Sequence, residues 1–295
     1  MSVNEKSIAL GTFDGLHKGH LQVILQSEKD KYDPYVLLFD VHPLSVITGK
    51  APCSLITDEM RRDIIESLGV KIIDVSFSEI ADLPYDEFFR KYLIEKYNAK
   101  ALSCGENYTF GARGEGNVEK LRKLCEEYSV ELHIAPTQTY NGETVSSSKI
   151  RSFLSDGDIR AANAMLGREF SYRSIVVDGD KRGRTLGFPT ANQFFPDNFI
   201  KLKFGVYASK TVIDGEVYPS VTNIGIRPTV HTERYRSETY IINFQGDIYG
   251  KEIEIRLTDF LRPEEKFGSL SELSRAIEHD SKISQEIFNN NTCII

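Results

Sequence analysis

The segment SIALGTFDGLHKGH, Ser7–His20, reads as a buried strand, a tight turn and the start of a helix. Ser7–Leu10 is apolar, Gly11 follows at once, and a helix begins near His20. Unpaired N–H groups at a helix start, together with the helix dipole, favour an anion. Gly19 lies between His17 and His20, so both imidazoles can face one phosphate while the backbone approaches closely. An imidazole or imidazolium donor there would stabilise charge building on an α-phosphate as pyrophosphate is displaced. An HxGH pair alone is a weak signal, because paired histidines are also ordinary surface or core residues.

Outward from this segment the first half keeps the same rhythm. Ser7–Leu10, Tyr35–Phe39, Lys71–Val75, Ala101–Cys104 and Glu131–Ala135 read as buried strands. His20–Gln26, Asp58–Leu68, Tyr85–Tyr97 and Val118–Tyr128 read as amphipathic helices. The alternation predicts an α/β domain, a parallel sheet flanked by helices with ligands at the carboxyl ends of its strands. After Gly167 the chain turns strand-rich, with Ser174–Val177, Val206–Val212, Val217–Ile224, Glu238–Phe244 and Glu252–Leu257. Turns at Asp214-Gly215 and Gln245-Gly246-Asp247 punctuate these runs, which predicts a compact antiparallel, all-β barrel closed by a helix at Leu270–Ile277. The boundary is expected near Gly167–Arg173, after a short helix at Ile159–Leu166, giving domains 1–168 and 169–295. No internal repeat or low-complexity tract is visible.

Composition narrows the function. A chain of 295 residues has room for two domains, and its net charge of −7 argues against general binding to nucleic acid or an anionic membrane. The start MSVNEKSIALG has no basic segment leading into a long apolar core, and no apolar run is long enough to span a bilayer. Cys53, Cys104, Cys125 and Cys293 show neither CxxC spacing nor a compact disulfide pattern, which reads as scattered reduced thiols in a cytoplasmic protein.

Two further segments suit phosphate. In GRTLGFPTAN, Gly183 and Gly187 let backbone amides approach a phosphate and Arg184 adds charge. Pro189 stiffens the chain just before Thr190 and Asn192, whose uncharged oxygens suit a magnesium–nucleotide complex. Upstream, Gly179, Asp180, Lys181, Arg182 and Gly183 form a polar loop able to close over those phosphates; as a bare charge run it would be a solvated turn. Ser146, Ser147 and Ser148 precede Lys149, Ile150 and Arg151, and read as an N-cap cluster. The same geometry offers hydroxyls, amides and Arg151 to a β,γ-diphosphate leaving group.

HKGH and SSSKIR together resemble the two signature motifs of the HxGH nucleotidyltransferase superfamily. The order GTFDGLHKGH, FDVHP, GENYTFG, SSSKIR, GRTLGFPTAN, NIGIRPT, YG and LRPEEKF resembles bacterial bifunctional riboflavin kinase/FAD synthetases over nearly the whole chain. The resemblance implies a Rossmann-like FMN adenylyltransferase followed by a six-stranded riboflavin kinase barrel, with ATP as co-substrate, Mg2+ as cofactor, and riboflavin, FMN and FAD as substrates and products. It implies that His17 and His20 stabilise adenylyl transfer, with Ser147, Ser148 and Arg151 on the triphosphate and Gly11 and Phe13 at the nucleotide. Asn107, Tyr108 and Phe110 would lie near flavin or nucleotide. Thr190 and Asn192 would hold magnesium, Glu238, opening the strand SETYIINF, would be the base for the ribityl hydroxyl, and Arg262 would be a mobile-loop arginine on the flavin side.

Departures from the family pattern are Val41 where Pro is common, Asn117 for a frequent Asp, Ser174 for a usual Gly, and His231 after NIGIRPTV. Two other readings stand beside the bifunctional one: a riboflavin kinase with a weak or silent first module, and a non-catalytic flavin- or nucleotide-sensing protein. Partners are expected to be small molecules, with neither nucleic acid nor membrane, and a weak homo-oligomer is left open.

Overall fold

A hydrophobic core lies against each face of the first sheet, so its strands read as largely apolar runs. The computed structural model describes residues 4–29, 31–179, 187–228 and 233–291. Lys181, Gly183, Arg184, Asp180, Arg182, His231 and Cys293 therefore lie outside the described residues. The chain divides into two units, Met1–Ser147 and Ser148–Ile295.

In the first unit, β1 (Lys6–Ala9), β2 (Asp33–Phe39), β3 (Lys71–Val75), β4 (Ala99–Gly105) and β5 (Glu131–Ala135) form a five-stranded sheet in the order β3-β2-β1-β4-β5. All four pairings are parallel. Along β1, Ile8 joins the core on one face with Leu37, Phe89 and Leu102, while Ala9 joins the other with Phe13, Val36 and Met60. The strand order reverses at β1, and the crevice outside the carboxyl ends at such a point is where these sheets bind ligands.

The helices are α1 (Lys18–Glu28), α2 (Pro43–Thr48), α3 (Asp58–Ser67) and α4 (Val118–Tyr128), and the expected Tyr85–Tyr97 helix is a turn, Tyr85–Glu87, running into a π-helix, Phe88–Lys96. No residue of α2 is buried, so it has no apolar stripe to read from sequence. Burial pushes the Cys104 thiol up to about 11 and that of Cys125 up to about 12, so both stay protonated and pack as apolar groups.

In the second unit, α5 (Ser147–Asp156, whose first residue closes the first unit) and α6 (Ile159–Leu166) lead into β6 (Phe170–Ile175), β7 (Thr190–Phe194), β8 (Gly205–Ile213), β9 (Glu216–Pro228), β10 (Glu233–Ile241) and β11 (Glu252–Arg262), followed by α7 (Leu270–Asn291). Asn163 of α6 ties to the sheet, its Nδ2 donating to Leu257 O at 2.9 Å and its Oδ1 accepting from Phe170 N at 2.7 Å.

The six strands pair antiparallel in the order β6-β11-β8-β9-β10-β7. The outer strands meet, because Ser174 Oγ donates to Phe194 O at 2.9 Å and Gln193 Nε2 donates to Ser174 O at 2.7 Å. The sheet thus curls toward the expected barrel, with side-chain bonds joining its outer strands. Several boundaries differ from the sequence reading. The first strand is Phe170–Ile175 rather than Ser174–Val177, β9 and β11 run on to Pro228 and Arg262, β10 runs Glu233–Ile241 so that Glu238 lies within a strand rather than opening one, α7 continues to Asn291, and Thr190–Phe194 forms a strand that the sequence reading does not predict.

A ladder of buried hydroxyls crosses the middle of this barrel. Ser209 Oγ contacts Ser220 Oγ at 2.9 Å and Thr222 Oγ1 at 2.8 Å, Thr211 Oγ1 donates to Ser220 Oγ at 2.8 Å, and Thr222 Oγ1 meets Thr239 Oγ1 at 2.9 Å. Each such bond contributes about 1 kcal/mol, and stripping one partner costs more than the bond gives.

Gly111, in the GENYTFG segment, has φ +75°, and a Cβ there would stand 2.6 Å from Tyr85 Cα. Gly111→Ala is expected to lower stability by about 2 kcal/mol or more through the strained backbone and the clash. Urea unfolding checks this, and an unchanged midpoint would show that the turn can relax.

Candidate active site

Between β1 and α1 the chain makes a left-handed turn, with Phe13 at φ 51°, Gly15 at 75° and Leu16 at 44°. This backbone costs about 1–2 kcal/mol at each non-glycine position. Phe13 and Leu16 are fully buried, and that burial offsets the strain. The turn delivers His17 to the N-cap of α1, where its Nδ1 accepts the His20 N–H at 3.2 Å.

The two imidazoles stack with centroids 3.6 Å apart and 15° between planes, and Phe13 meets His20 edge-on at 5.5 Å. Burial first, and then the neighbouring His17, hold the His20 imidazole well below its ordinary 6.5, so it is neutral at pH 7. Its Nδ1 is buried with no partner. Ser147 Oγ donates to Asp14 O at 2.9 Å and so ties the serine cluster to the same turn.

A cavity of about 500 Å³ opens at the carboxyl ends of the strands and is lined by Gly11, Phe13, His17, His20, Asn107, Tyr108 and Phe110, with Ser146 at its border. The residues expected at the first site thus share one cavity, except the serines and arginine after Ser146. Ser148 and Arg151 follow Ser147 in α5. Tyr108 and Phe110 stack at 5.6 Å and 10°, forming one aromatic wall.

Sequence reasoning missed Glu106, His42, Leu44, Ile47 and Thr137, which also line the cavity. Glu106 accepts from the N–H of Thr137 at 3.0 Å and from its Oγ1, bonds that lower the carboxyl pKa. His42 Nδ1 accepts from Leu44 N at 3.2 Å and caps α2. Glu106 and His42 stand inside quoted motifs, beside residues whose chemistry was more obvious.

The second site is organised by strand register. Asn192 of β7 lies opposite Glu238 of β10, Glu238 opposite Asn223 of β9, Asn223 opposite Val206 of β8, and Val206 opposite Arg262 of β11. Residues directly opposite share a face, so this row puts the candidate base, amide and arginine on one side of the sheet. Thr190, two residues before Asn192, shares that face.

The Asn192 amide is oriented by its Nδ2, which donates to Thr190 O at 3.3 Å, while its Oδ1 accepts from Arg236 Nη1 at 3.4 Å. Gly179 backs against it, since a Cβ there would fall 2.4 Å from Asn192 Nδ2. Gly187 and Pro189 are exposed just before β7, and Phe188 between them meets Tyr240 edge-on at 5.1 Å.

Glu238 pairs with Arg236. Arg262, expected on a mobile loop, is the last residue of β11; its Nε and Nη2 hold Asp280 Oδ2 of α7 at 3.1 Å and 2.9 Å. Asn223 Nδ2 donates to Glu264 Oε1 at 3.1 Å. Asn223 and Glu264 stand inside the quoted NIGIRPT and LRPEEKF motifs without a role of their own there, whereas Arg236 and Asp280 lie outside every quoted motif and only register and helix placement bring them here. The oxygens of Thr190 and Asn192 fit magnesium, a hard cation that keeps water and phosphate oxygens in its shell and needs few protein ligands.

Residues 1–149 match the family described as FAD synthetase, and residues 166–288 match the family described as riboflavin kinase. The chain is 35% identical to the bifunctional riboflavin kinase/FMN adenylyltransferase of Bacillus subtilis (strain 168), covering 96% of this chain and 92% of that protein. It is 34% identical to the protein of that description from Escherichia coli (strain K12), covering 95% and 92%. A crystal structure of a macrolide-efflux protein from Streptococcus pneumoniae is similar with a TM-score of 0.86 at 29% identity, covering 97% of this chain and 95% of that one. Among the described residues no helix is long and apolar enough to cross a membrane.

The depressed His20 pKa makes stability depend on pH. Below about pH 6.5 the unfolded chain takes up a proton that the folded site resists, so stability is complete above that pH and falls as pH drops toward the folded value. The urea midpoint is expected to fall between pH 7 and pH 5, and to fall less in His20→Gln. Equal falls would assign the effect to other groups.

Proposed function

We infer the function from one premise: the chain belongs to the family of bifunctional riboflavin kinase/FMN adenylyltransferases. It phosphorylates riboflavin with ATP to give FMN and ADP, and then adenylylates FMN with a second ATP to give FAD and pyrophosphate. The observation that carries the assignment of residues is the register row that sets Glu238 beside Asn192.

In the kinase step, Glu238 takes the proton of the ribityl primary hydroxyl as its oxygen bonds to the γ-phosphorus and the bond to ADP breaks. Thr190 and Asn192 would hold magnesium, which would supply charge neutralisation to the phosphates. Gly179, Lys181, Gly183, Arg184 and Gly187 supply amides and charge to the phosphates. Arg262, steadied by Asp280, faces the flavin side.

In the adenylyl step, a phosphate oxygen of FMN attacks the α-phosphorus and pyrophosphate leaves. His17 and His20 donate to the α-phosphate, while Ser147, Ser148 and Arg151 receive the leaving diphosphate. The preorganised stack, with His20 uncharged at neutral pH, supports donation to the phosphate. Gly11 and Phe13 border the nucleotide, and Asn107, Tyr108 and Phe110 the flavin.

We place the functional boundary at Arg168, close to the start of the second matched stretch. The net charge of −7 suits small-molecule substrates better than nucleic acid, and the cytoplasm is the compartment where ATP and the vitamin meet.

Riboflavin incubated with ATP and magnesium should yield FAD on chromatography. FMN alone would mean a silent first unit, and no product would mean a binding protein. Glu238→Ala should lower FMN formation about 10²–10⁴-fold and spare conversion of supplied FMN to FAD, with His20→Ala showing the reverse. Loss of both activities in either variant would refute two independent sites.

A further inference from the structure

We propose that Arg236 is a positioning residue for phosphoryl transfer, a guanidinium clamp that holds Glu238 at a fixed distance and angle from Asn192. The inference rests on the reading of Glu238 as the base. Arg236 precedes Glu238 by two residues on β10, so the two side chains leave the sheet on the same face. Its Nη2 pairs with Glu238 Oε1 and its Nη1 donates to Asn192 Oδ1 at 3.4 Å. One planar group thus spans two residues that face each other across neighbouring strands.

The Arg236 side chain is 16% exposed, against 32% for Glu238. A guanidinium so covered is held at a cost unless it is paired, and the carboxylate it pairs with would otherwise sample several rotamers. Pinning Oε1 leaves Oε2 to accept the proton of the alcohol, which is the orientation a general base needs. Contact with Oδ1, together with the Nδ2 bond to Thr190 O, also fixes which way the Asn192 amide points. Lysine cannot do this, because an ammonium is a point charge without a fork. The strands do not depend on the clamp, since β10 is registered on both sides by backbone pairing and from the opposite face by the hydroxyl ladder.

Arg236→Met and Arg236→Lys are to be measured beside Glu238→Gln, on full-length protein. Arg236→Met should lower kcat for FMN formation about 10- to 100-fold, the usual cost of a misplaced catalytic group, with KM for riboflavin nearly unchanged. Arg236→Lys should recover part of that loss, and adding Arg236→Met to Glu238→Gln should cost nothing further. Conversion of supplied FMN to FAD and the melting temperature should hold in both arginine variants. An undiminished kcat in Arg236→Met overturns the proposal, as does a loss carried by KM or by a parallel fall in adenylylation and melting temperature in both variants. Full activity in Glu238→Gln would instead sink the base assignment, a different failure from an inert Arg236.

Discussion

Backbone register between β7, β10 and β9 is the constraint on which the candidate site of the second unit depends. Asn192, Glu238 and Asn223 come from three separate segments, and only their pairing puts them in one line on one face. Because side chains alternate along a strand, a slip of one residue would turn the candidate base toward the barrel interior. The hydroxyl ladder resists such a slip, since Thr222 and Thr239 meet only in this alignment and a buried hydroxyl without a partner is expensive. The interior chemistry of the barrel therefore serves the exterior chemistry of the site.

The first unit meets a different demand with a different device. In its candidate site two imidazoles stack, and burial together with the neighbouring His17 holds His20 uncharged at neutral pH. The left-handed turn brings the pair to the N-terminus of α1, and its strain is carried by two side chains sunk wholly in the core. Packing, turn and proton affinity are thus one arrangement, and substitution of Phe13, which meets His20 edge-on, or of Leu16 acts on the histidines through the turn.

Much of the fold is legible in the sequence where burial imposes a pattern. All five strands of the first sheet stand close to their apolar runs, because a hydrophobic core lies against each face. β7 is not legible as a strand: TANQF has weak strand propensity and owes its conformation to pairing with β10. α2 buries none of its residues, so no periodicity announces it. Residues with distinctive chemistry in short motifs, such as His17, His20, Thr190 and Asn192, can be found from their spacing. Arg236 and Asp280 cannot, since an arginine and an aspartate far apart in the chain become relevant only once the strands and a helix are in place.

The hydroxyl ladder also shapes which sequences this barrel can drift through. Exchange of serine for threonine keeps an oxygen in each rung and changes only a methyl group. Valine, which matches threonine in outline, would leave Ser209 and Thr239 facing a hydrocarbon at position 222. An aliphatic interior wanders freely among Leu, Ile and Met, whereas this one can be remodelled only by altering neighbouring rungs together, so its lineage should carry paired changes at these positions instead of isolated ones.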